Sequence, residues 1–152
     1  MKGLRIMIFD TTAGLRTGGT ELLAERPLDS AGWIWVDLDG ADKAQERELL
    51  VSTFGIWPIA IQDAQRDRHP PKQELFHNCL FLLLRELHGA DADHDEYSYN
   101  HLSLFVGENF LVTRRGQASE SIDGVWKTTA CLALPGCYRL HSASPRRPRH
   151  LI

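Results

Sequence analysis

The longest uninterrupted apolar run in this chain is Cys79–Leu84, six residues closed by Asn78 and Arg85. A helix needs roughly 20 apolar residues to cross a bilayer, so this run is too short for a membrane span. We therefore expect no membrane insertion by the chain itself. A short continuous apolar run is typical of a strand that is buried on both faces of a sheet. The run predicts a central strand of a folded domain.

Further strand signals lie on both sides of this run. Trp33–Leu38 is β-branched and aromatic and ends at Asp39-Gly40, which is typical of a buried strand that ends in a turn. The segment Gly107-Glu108-Asn109 separates two apolar stretches and has the residues of a hairpin turn. The predicted strands cover residues 4–9, 21–26, 33–38, 72–76, 79–87, 102–106 and 110–113, with a glycine-rich loop over 11–20.

Capping residues indicate where helices begin and end. Asp42 begins a helix that Gly55 ends, and Pro58 suits the first turn of a second helix. Ser119 is the predicted N-cap of a third helix, which ends near Trp126. Strands, then two helices, then more strands and a helix predict an α/β domain. We expect a mixed, largely antiparallel sheet of about six to seven strands covered by helices.

The large apolar side chains of these elements are expected to form one core, since burying a large aromatic side chain contributes about 2–3 kcal/mol. The predicted members of that core are Trp33, Trp35, Phe54, Leu82, Leu84, Leu104 and Phe105.

Charge divides the chain near residue 127. Residues 1–126 carry 12 basic and 20 acidic side chains, a net charge of −8, whereas residues 127–152 carry five basic side chains and no acid. The net negative charge of residues 1–126 repels the phosphate backbone of nucleic acids, which argues against nucleic-acid binding by this part of the chain. We predict a domain over residues 1–126 and a basic tail with several Pro and Arg over 127–152, poorly ordered beyond about Leu134. Three cysteines without a C-x-x-C pair predict a reduced, cytoplasmic protein.

Two segments resemble ligand-binding motifs but lack residues that those motifs need. Gly14–Thr20 has the glycine spacing of a P-loop without its phosphate-binding lysine. Asp91–Asp95 has the alternating acids of an EF-hand, but Glu96 and Leu102 replace its glycine and its bidentate glutamate. Because no nucleophile–base or metal-ligand spacing supports catalysis, we expect that the chain is not an enzyme.

Several segments together resemble a known family in their order and spacing. They are Trp33–Asp39, Phe54-Gly55-Ile56-Trp57-Pro58-Ile59-Ala60-Ile61-Gln62-Asp63-Ala64, Arg68-His69-Pro70-Pro71-Lys72, Leu80–Arg85 and the hairpin Leu102–Arg114. Over residues 30–126 this succession resembles the cytosolic N-terminal domain of the CorA family of divalent-cation channels.

The resemblance implies an α/β/α domain that lies beneath a membrane pore, on the cytoplasmic side, and assembles as a pentamer. It implies a regulatory and assembly role in a CorA-like transporter of Mg²⁺ or another divalent cation, with the zinc-transporting ZntB branch included. The family's stalk helix and its Gly-Met-Asn pore motif have no counterpart in this sequence. The hypothesis is therefore a domain truncated before the stalk and pore, which does not transport by itself. The alternative is a free-standing interaction domain of the same fold with no transport role.

The resemblance also implies a metal site. The family's regulatory aspartate, which shares a cation with a neighbouring protomer, falls on Asp63, while Gln62 replaces its acidic neighbour and Trp57 replaces a histidine. Magnesium typically binds through one or two carboxylates plus waters, so one exposed carboxylate beside a neutral side chain is half a site. We expect Asp63 to be solvent-exposed and the isolated chain to bind Mg²⁺ no tighter than roughly millimolar. The alternative is that Asp63 is only a hydrated side chain on the outer face of a helix and has no role in metal binding.

Overall fold

The computed structural model describes residues 3–27, 31–66, 70–87 and 99–132. The elements follow the predicted order of strands, helices, strands and a helix. The strands are β1 (Leu4–Asp10), β2 (Gly14–Gly18), β3 (Trp33–Asp39), β4 (Lys72–Leu75), β5 (Leu80–Leu87), β6 (Tyr99–Val106) and β7 (Phe110–Arg115). The helices are α1 (Lys43–Phe54), α2 (Pro58–Ala64) and α3 (Glu120–Cys131), with a 3-10 helix over Thr20–Glu25.

The strands form a seven-stranded sheet in the order β2-β1-β3-β7-β6-β5-β4. β3 pairs with β7 in parallel, with Trp35 opposite Leu111, and the remaining neighbours are antiparallel. The predicted fold class, a mixed and largely antiparallel sheet with helices, is confirmed.

Side chains on the two faces of the sheet form two apolar clusters. The larger cluster includes Phe54 and Phe105 and lies between the sheet, α1, α2 and the 3-10 helix. The smaller cluster includes Trp35 and Trp126 and lies between the sheet and α3. The prediction of a single core is therefore wrong, because successive side chains of a strand point to opposite faces of the sheet.

The predicted core members also differ in burial. Trp35, Phe54 and Phe105 are buried, as expected. Trp33, Leu82 and Leu104 are half-buried, and Leu84 is 40% exposed. Leu84 lies on β5, which is one strand from the edge of the sheet rather than at its centre. The continuous apolar run thus predicted the strand correctly and its central position wrongly.

The predicted capping residues lie where the sequence places them. The Asp42 carboxylate accepts hydrogen bonds from the backbone N–H of Ala44 and Gln45, each at 3.1 Å. Gly55 ends α1 with a φ of 63°, a left-handed conformation that glycine adopts without steric cost. Ser119 accepts a hydrogen bond from the N–H of Ile122 at 3.1 Å and begins α3.

The segment between β1 and β3 differs from the prediction. Residues 11–20, predicted as a loop, include β2, because Gly14 at φ 74° completes a turn that returns the chain along β1. The Asp10 carboxylate holds that turn by accepting from the N–H of Thr12 and Ala13. Residues 21–26, predicted as a strand, lie largely within the 3-10 helix, where Leu22 is the buried side chain. The glycines that resemble a P-loop therefore belong to an edge strand and its two ends.

The C-terminal part of α3 extends past the predicted helix end, from Trp126 to Cys131. The predicted division of the chain at residue 126 stays a prediction. The proposed tail disorder beyond Leu134 and the EF-hand-like segment Asp91–Asp95 lie outside the described residues.

Candidate functional site

Asp63 lies in the last turn of α2 and is buried, with 8% of its surface exposed. The expectation that it is solvent-exposed is wrong. Asp63 is three residues after the fully buried Ala60, and residues three apart share a helix face. The buried side of this short helix is therefore wide enough to include Asp63 as well as Ile61 and Ala64.

The Asp63 carboxylate is engaged by basic side chains. Lys72 on β4 donates from Nζ to Asp63 Oδ2 at 2.6 Å and to Glu74 Oε2 at 3.1 Å. Arg66 Nη1 lies 3.8 Å from Asp63 Oδ1. The hydrogen bond to Asp63 is the main reason that the pKa of Lys72 is raised above its usual value. One ammonium group thus joins α2 to the edge strand β4 and neutralises Asp63 locally.

These surroundings test whether Asp63 fits a divalent cation. A magnesium ion needs a carboxylate oxygen with room for the ion and its waters. Oδ2 of Asp63 is already in hydrogen-bond contact with Lys72, and the neighbouring Gln62 is neutral. With Lys72 in this position, the residues present do not fit a divalent cation. Within the part of the chain that the structure describes, no group of three or more His, Cys, Asp or Glu could hold a metal ion.

A second charged network, which joins α1, α2 and β7, holds the end of α2 in place. Glu46 of α1 is fully buried and accepts from Arg114 Nε at 2.9 Å and from Gln65 Nε2 at 3.0 Å. Arg114 Nη1 also donates to the carbonyl of Ala64, the residue after Asp63, at 2.9 Å. This network fixes the C-terminal end of α2 and therefore the position from which the Asp63 side chain meets Lys72.

A third charged network lies on the opposite face of the sheet, under α3. Asp37 of β3 is fully buried and accepts from Arg5 Nε at 2.8 Å and from Arg115 Nη2 at 3.0 Å. The same two arginines reach Asp123 of α3, with Arg5 Nη2 at 2.6 Å from its Oδ1. Burial would raise the pKa of Asp123, but the hydrogen bonds from Arg5 and Arg115 outweigh it and hold that pKa below its usual value.

Sequence reasoning missed this third network. Asp37 lies in the predicted buried strand Trp33–Leu38, but no motif in the sequence gives its side chain a role. The available signal was the strand period of two, which places Asp37 on the same face as Trp35. A buried carboxylate requires a positively charged or hydrogen-bonding partner, but nothing local in the sequence identifies Arg115 as that partner.

A cleft of about 740 Å³ lies at one end of the sheet, beside the C-terminus of α1. Asn78 Nδ2 donates to the carbonyls of Phe54 and Gly55 at 2.9 and 3.1 Å, and Arg26 donates to the carbonyl of Thr53. These polar groups satisfy carbonyls at the end of the helix. The hydrogen bonds of Asn78 and Arg26 are therefore explained by the fold.

The helix α3 covers only part of the width of the sheet face on which it packs. Seven strands spaced by about 4.8 Å span roughly 29 Å, whereas one helix with its side chains is about 10 Å across. α3 packs over β1 and β3, where the rings of Trp126 and Trp35 lie 4.9 Å apart. The strand pairing places Leu75, Leu84 and Val106 on this same side, and they are 81%, 40% and 38% exposed. We call this region of β4–β6 the open sheet face.

Comparison with known proteins identifies the family. A sequence profile of the CorA-like Mg2+ transporter protein family matches residues 30–141, well over half of the chain. The cobalt/magnesium transport protein CorA of Thermotoga maritima is 24% identical over 97 residues, which are 64% of this chain and 27% of that protein. The chain spans less than a third of the length of the curated relatives that it matches.

Solved structures share the fold at low sequence identity. The full-length CmaX protein superposes with a TM-score of 0.67 at 16% identity, over 83% of this chain and 38% of that one. The ZntB cytoplasmic domain from Vibrio parahaemolyticus superposes with a TM-score of 0.62 at 16% identity, over 88% of this chain and 52% of that domain. In the described ranges, from residue 3 to 132 with their gaps, no helix is both long and apolar enough to cross a bilayer. The family match is direct and extensive, and the chain belongs to the CorA-like Mg2+ transporter family.

Proposed function

We propose that this chain is an assembly and regulatory domain of a CorA-type divalent-cation transporter, located on the cytoplasmic side of the membrane. Family membership and the structural likeness to a ZntB cytoplasmic domain support this proposal. In this proposal ion conduction belongs to the remaining part of such a transporter, and this chain contacts neighbouring protomers of an oligomer, a pentamer as the resemblance implies.

The open sheet face is the observation that carries the assembly role. The antiparallel pairs of Leu75 with Leu80 and of Leu80 with Val106 place apolar side chains on the side that α3 leaves partly bare, and Leu84 of β5 lies on this same side. Contiguous exposed apolar surface marks an interaction site in many proteins. The chain matches only 52% of the ZntB cytoplasmic domain, so a domain of this kind contains about as much chain again. We infer that helices of that remaining part pack on the open sheet face.

A photo-crosslinking experiment tests this function. A photoreactive amino acid replaces Leu84, which is 40% exposed on the open sheet face, or Val51, which is 41% exposed on α1. The matched exposure makes position 51 the control for non-specific capture. After irradiation in the native cell, we expect position 84 to crosslink to a CorA-family transporter polypeptide, identified by mass spectrometry, and position 51 not to. Equal crosslinking from both positions, or none from position 84, would contradict the assembly role.

The alternative function is a free-standing interaction domain that kept the fold without a transport role. The observation in its favour is the pairing of Asp63 with Lys72 beside a neutral Gln62, which leaves the carboxylate already neutralised. The same experiment separates the two functions. Under the alternative, position 84 crosslinks to a protein outside the CorA family, and divalent-cation uptake by the cell does not change when the chain is removed.

Cation binding by this domain is proposed to be weak and to involve Asp63. Since Lys72 already contacts Asp63 Oδ2 and the neighbouring Gln62 is neutral, the isolated chain binds Mg²⁺ no tighter than roughly millimolar. Titration calorimetry of the wild type and of Asp63→Ala measures this directly. Tight, stoichiometric Mg²⁺ binding by the isolated wild-type chain would contradict the proposal.

A further inference from the structure

We propose that the Lys72 ammonium occupies the position from which a divalent cation would contact Asp63, so that the chain neutralises this carboxylate with its own side chain. The inference rests on the proposed assignment of Asp63 as the cation-responsive residue. The Lys72 ammonium competes with a divalent cation for the Asp63 carboxylate. The affinity of the chain for cations therefore depends on this intramolecular ion pair and not only on the number of carboxylates.

The geometry of the pair supports this exclusion. Lys72 Nζ contacts Asp63 Oδ2 at 2.6 Å and Glu74 Oε2 at 3.1 Å, so the two carboxylate oxygens face one point in space. Divalent cations contact carboxylate oxygens at about 2.0–2.6 Å. A cation that reached both oxygens would therefore sit close to the present position of Nζ. The ammonium and the cation exclude each other by volume as well as by charge.

The backbone holds Lys72 in place for this role. Lys72 is the first residue of β4 and pairs with Leu83 of β5, so its Cα is fixed by the sheet. Its ammonium also lies 5.5 Å from the centroid of the Phe81 ring, a cation–π contact that limits where the stem can lie. A group tethered in this way has an effective concentration of millimolar order or higher at its partner. A free cation at lower concentration competes poorly with it.

Burial strengthens the ion pair relative to one at the surface. The side chains of Asp63 and Lys72 are only 11% and 29% exposed. Arg66, a second basic neighbour of Asp63, has a 54% exposed side chain with Nη1 3.8 Å from Asp63 Oδ1, and it is a weaker partner than Lys72. Of these two basic side chains, Lys72 is therefore the one whose removal changes the charge near Asp63 more.

Substitutions at Lys72 test the inference on the full chain. Lys72→Gln keeps a hydrogen-bond donor for Asp63 but removes the charge, Lys72→Met removes both, and Lys72→Arg keeps the charge as a matched control. Mg²⁺ binding is measured by calorimetry and Mn²⁺ binding by its electron paramagnetic resonance signal. We expect Lys72→Gln and Lys72→Met to bind about tenfold tighter than the wild type or more, because the tethered competitor is gone. Lys72→Arg should bind as weakly as the wild type.

The source of any gained affinity is identified by adding Asp63→Asn to the Lys72→Gln variant. Loss of the gain in this double variant supports the inference, and a gain that persists overturns it. Unchanged affinity in Lys72→Gln also overturns it, and circular dichroism checks that each variant is folded. Should Lys72→Met unfold, Lys72→Gln alone decides the outcome. These results do not depend on crosslinking at position 84, so failure of the transporter assignment and failure of the competitor inference give different outcomes.

Discussion

Trp35 is the side chain whose removal should most weaken the packing of α3 on the sheet. It is 4% exposed and belongs to the smaller apolar cluster. Its ring lies 4.9 Å from that of Trp126, and its Nε1 donates to Thr113 Oγ1 at 3.0 Å. Thr113 Oγ1 in turn donates to Asp37 Oδ1 at 2.6 Å, so the indole also contacts the charged network under α3.

The cost of Trp35→Ala follows from these contacts. Truncation of a buried Trp to Ala typically costs about 3–5 kcal/mol through lost burial and the cavity that remains. The ring contact with Trp126 and the hydrogen bond to Thr113 each contribute about 1 kcal/mol within that range. Trp35→Phe keeps an aromatic ring but removes the indole N–H, so its cost should be smaller, of the order of 1–2 kcal/mol.

Urea unfolding measures the effect, and Trp57→Ala is the matched control. Trp57 is 53% exposed, so the same truncation there should cost less than about 1 kcal/mol. With a denaturant slope of about 2 kcal/mol per molar, the midpoint of Trp35→Ala should fall by about 2 M. An unchanged midpoint for Trp35→Ala, or an equal shift for Trp57→Ala, would refute the assignment of Trp35 to the core.

Two further predictions concern charged groups. Asp37→Asn removes the charge of the buried carboxylate that Arg5 and Arg115 share. Arg115 keeps Asp123 and Asp39 as partners at 3.1 and 3.5 Å, so the free energy of unfolding should fall by about 1.5–3 kcal/mol, the range for a hydrogen bond to a charged group. A loss below about 1 kcal/mol in urea unfolding would contradict this. Burial would raise the pKa of Glu86, but hydrogen bonds, with Ser121 first, lower it from 4.5 to about 2. Because the pKa of Glu86 is lower in the folded state than in the unfolded state, the ionised Glu86 stabilises the fold above pH 4.5, and this stabilisation is lost as the pH falls from 4.5 towards 2. The melting temperature of Glu86→Gln should therefore fall less over that pH range than the melting temperature of the wild type. An equal fall for both proteins would contradict the role of Glu86.

The burial of Asp63 illustrates a limit of local patterns. The resemblance places a family aspartate at position 63, and the sequence predicts that this aspartate is solvent-exposed. Strand β4 supplies the partner of this carboxylate, because it brings Lys72 Nζ to 2.6 Å from Asp63 Oδ2. That contact joins an edge strand to a helix across nine positions of the chain. The spacing from the buried Ala60 places Asp63 on the inner side of α2, but the partner that its carboxylate meets there comes from the neighbouring strand and not from the helix.

The distribution of apolar residues among strands shows the same limit. The run Cys79–Leu84 predicted a strand correctly, because short continuous apolar segments are typical of strands that have apolar neighbours on both faces of a sheet. β5 lies next to the edge because it pairs with the short edge strand β4. Leu84 is exposed because α3 packs over β1 and β3 and does not cover it. Both depend on which elements come together after the local structure has formed.

The sequence by itself determined the features that local chemistry controls. Side-chain oxygens of Asp42 and Ser119 begin helices, and Gly55 ends one with a positive φ. The order of strand and helix signals predicted the fold class, and the segments that resemble the CorA family predicted the family. Only the tertiary structure decided that Asp37 lies between two arginines, that Asp63 pairs with Lys72, and that the apolar side chains divide into two clusters on opposite faces. The physical reason is range: a cap or a strand is stabilised by atoms within a few residues of each other, whereas the partner of a buried charge and the cover of a sheet face come from distant segments that only folding brings together.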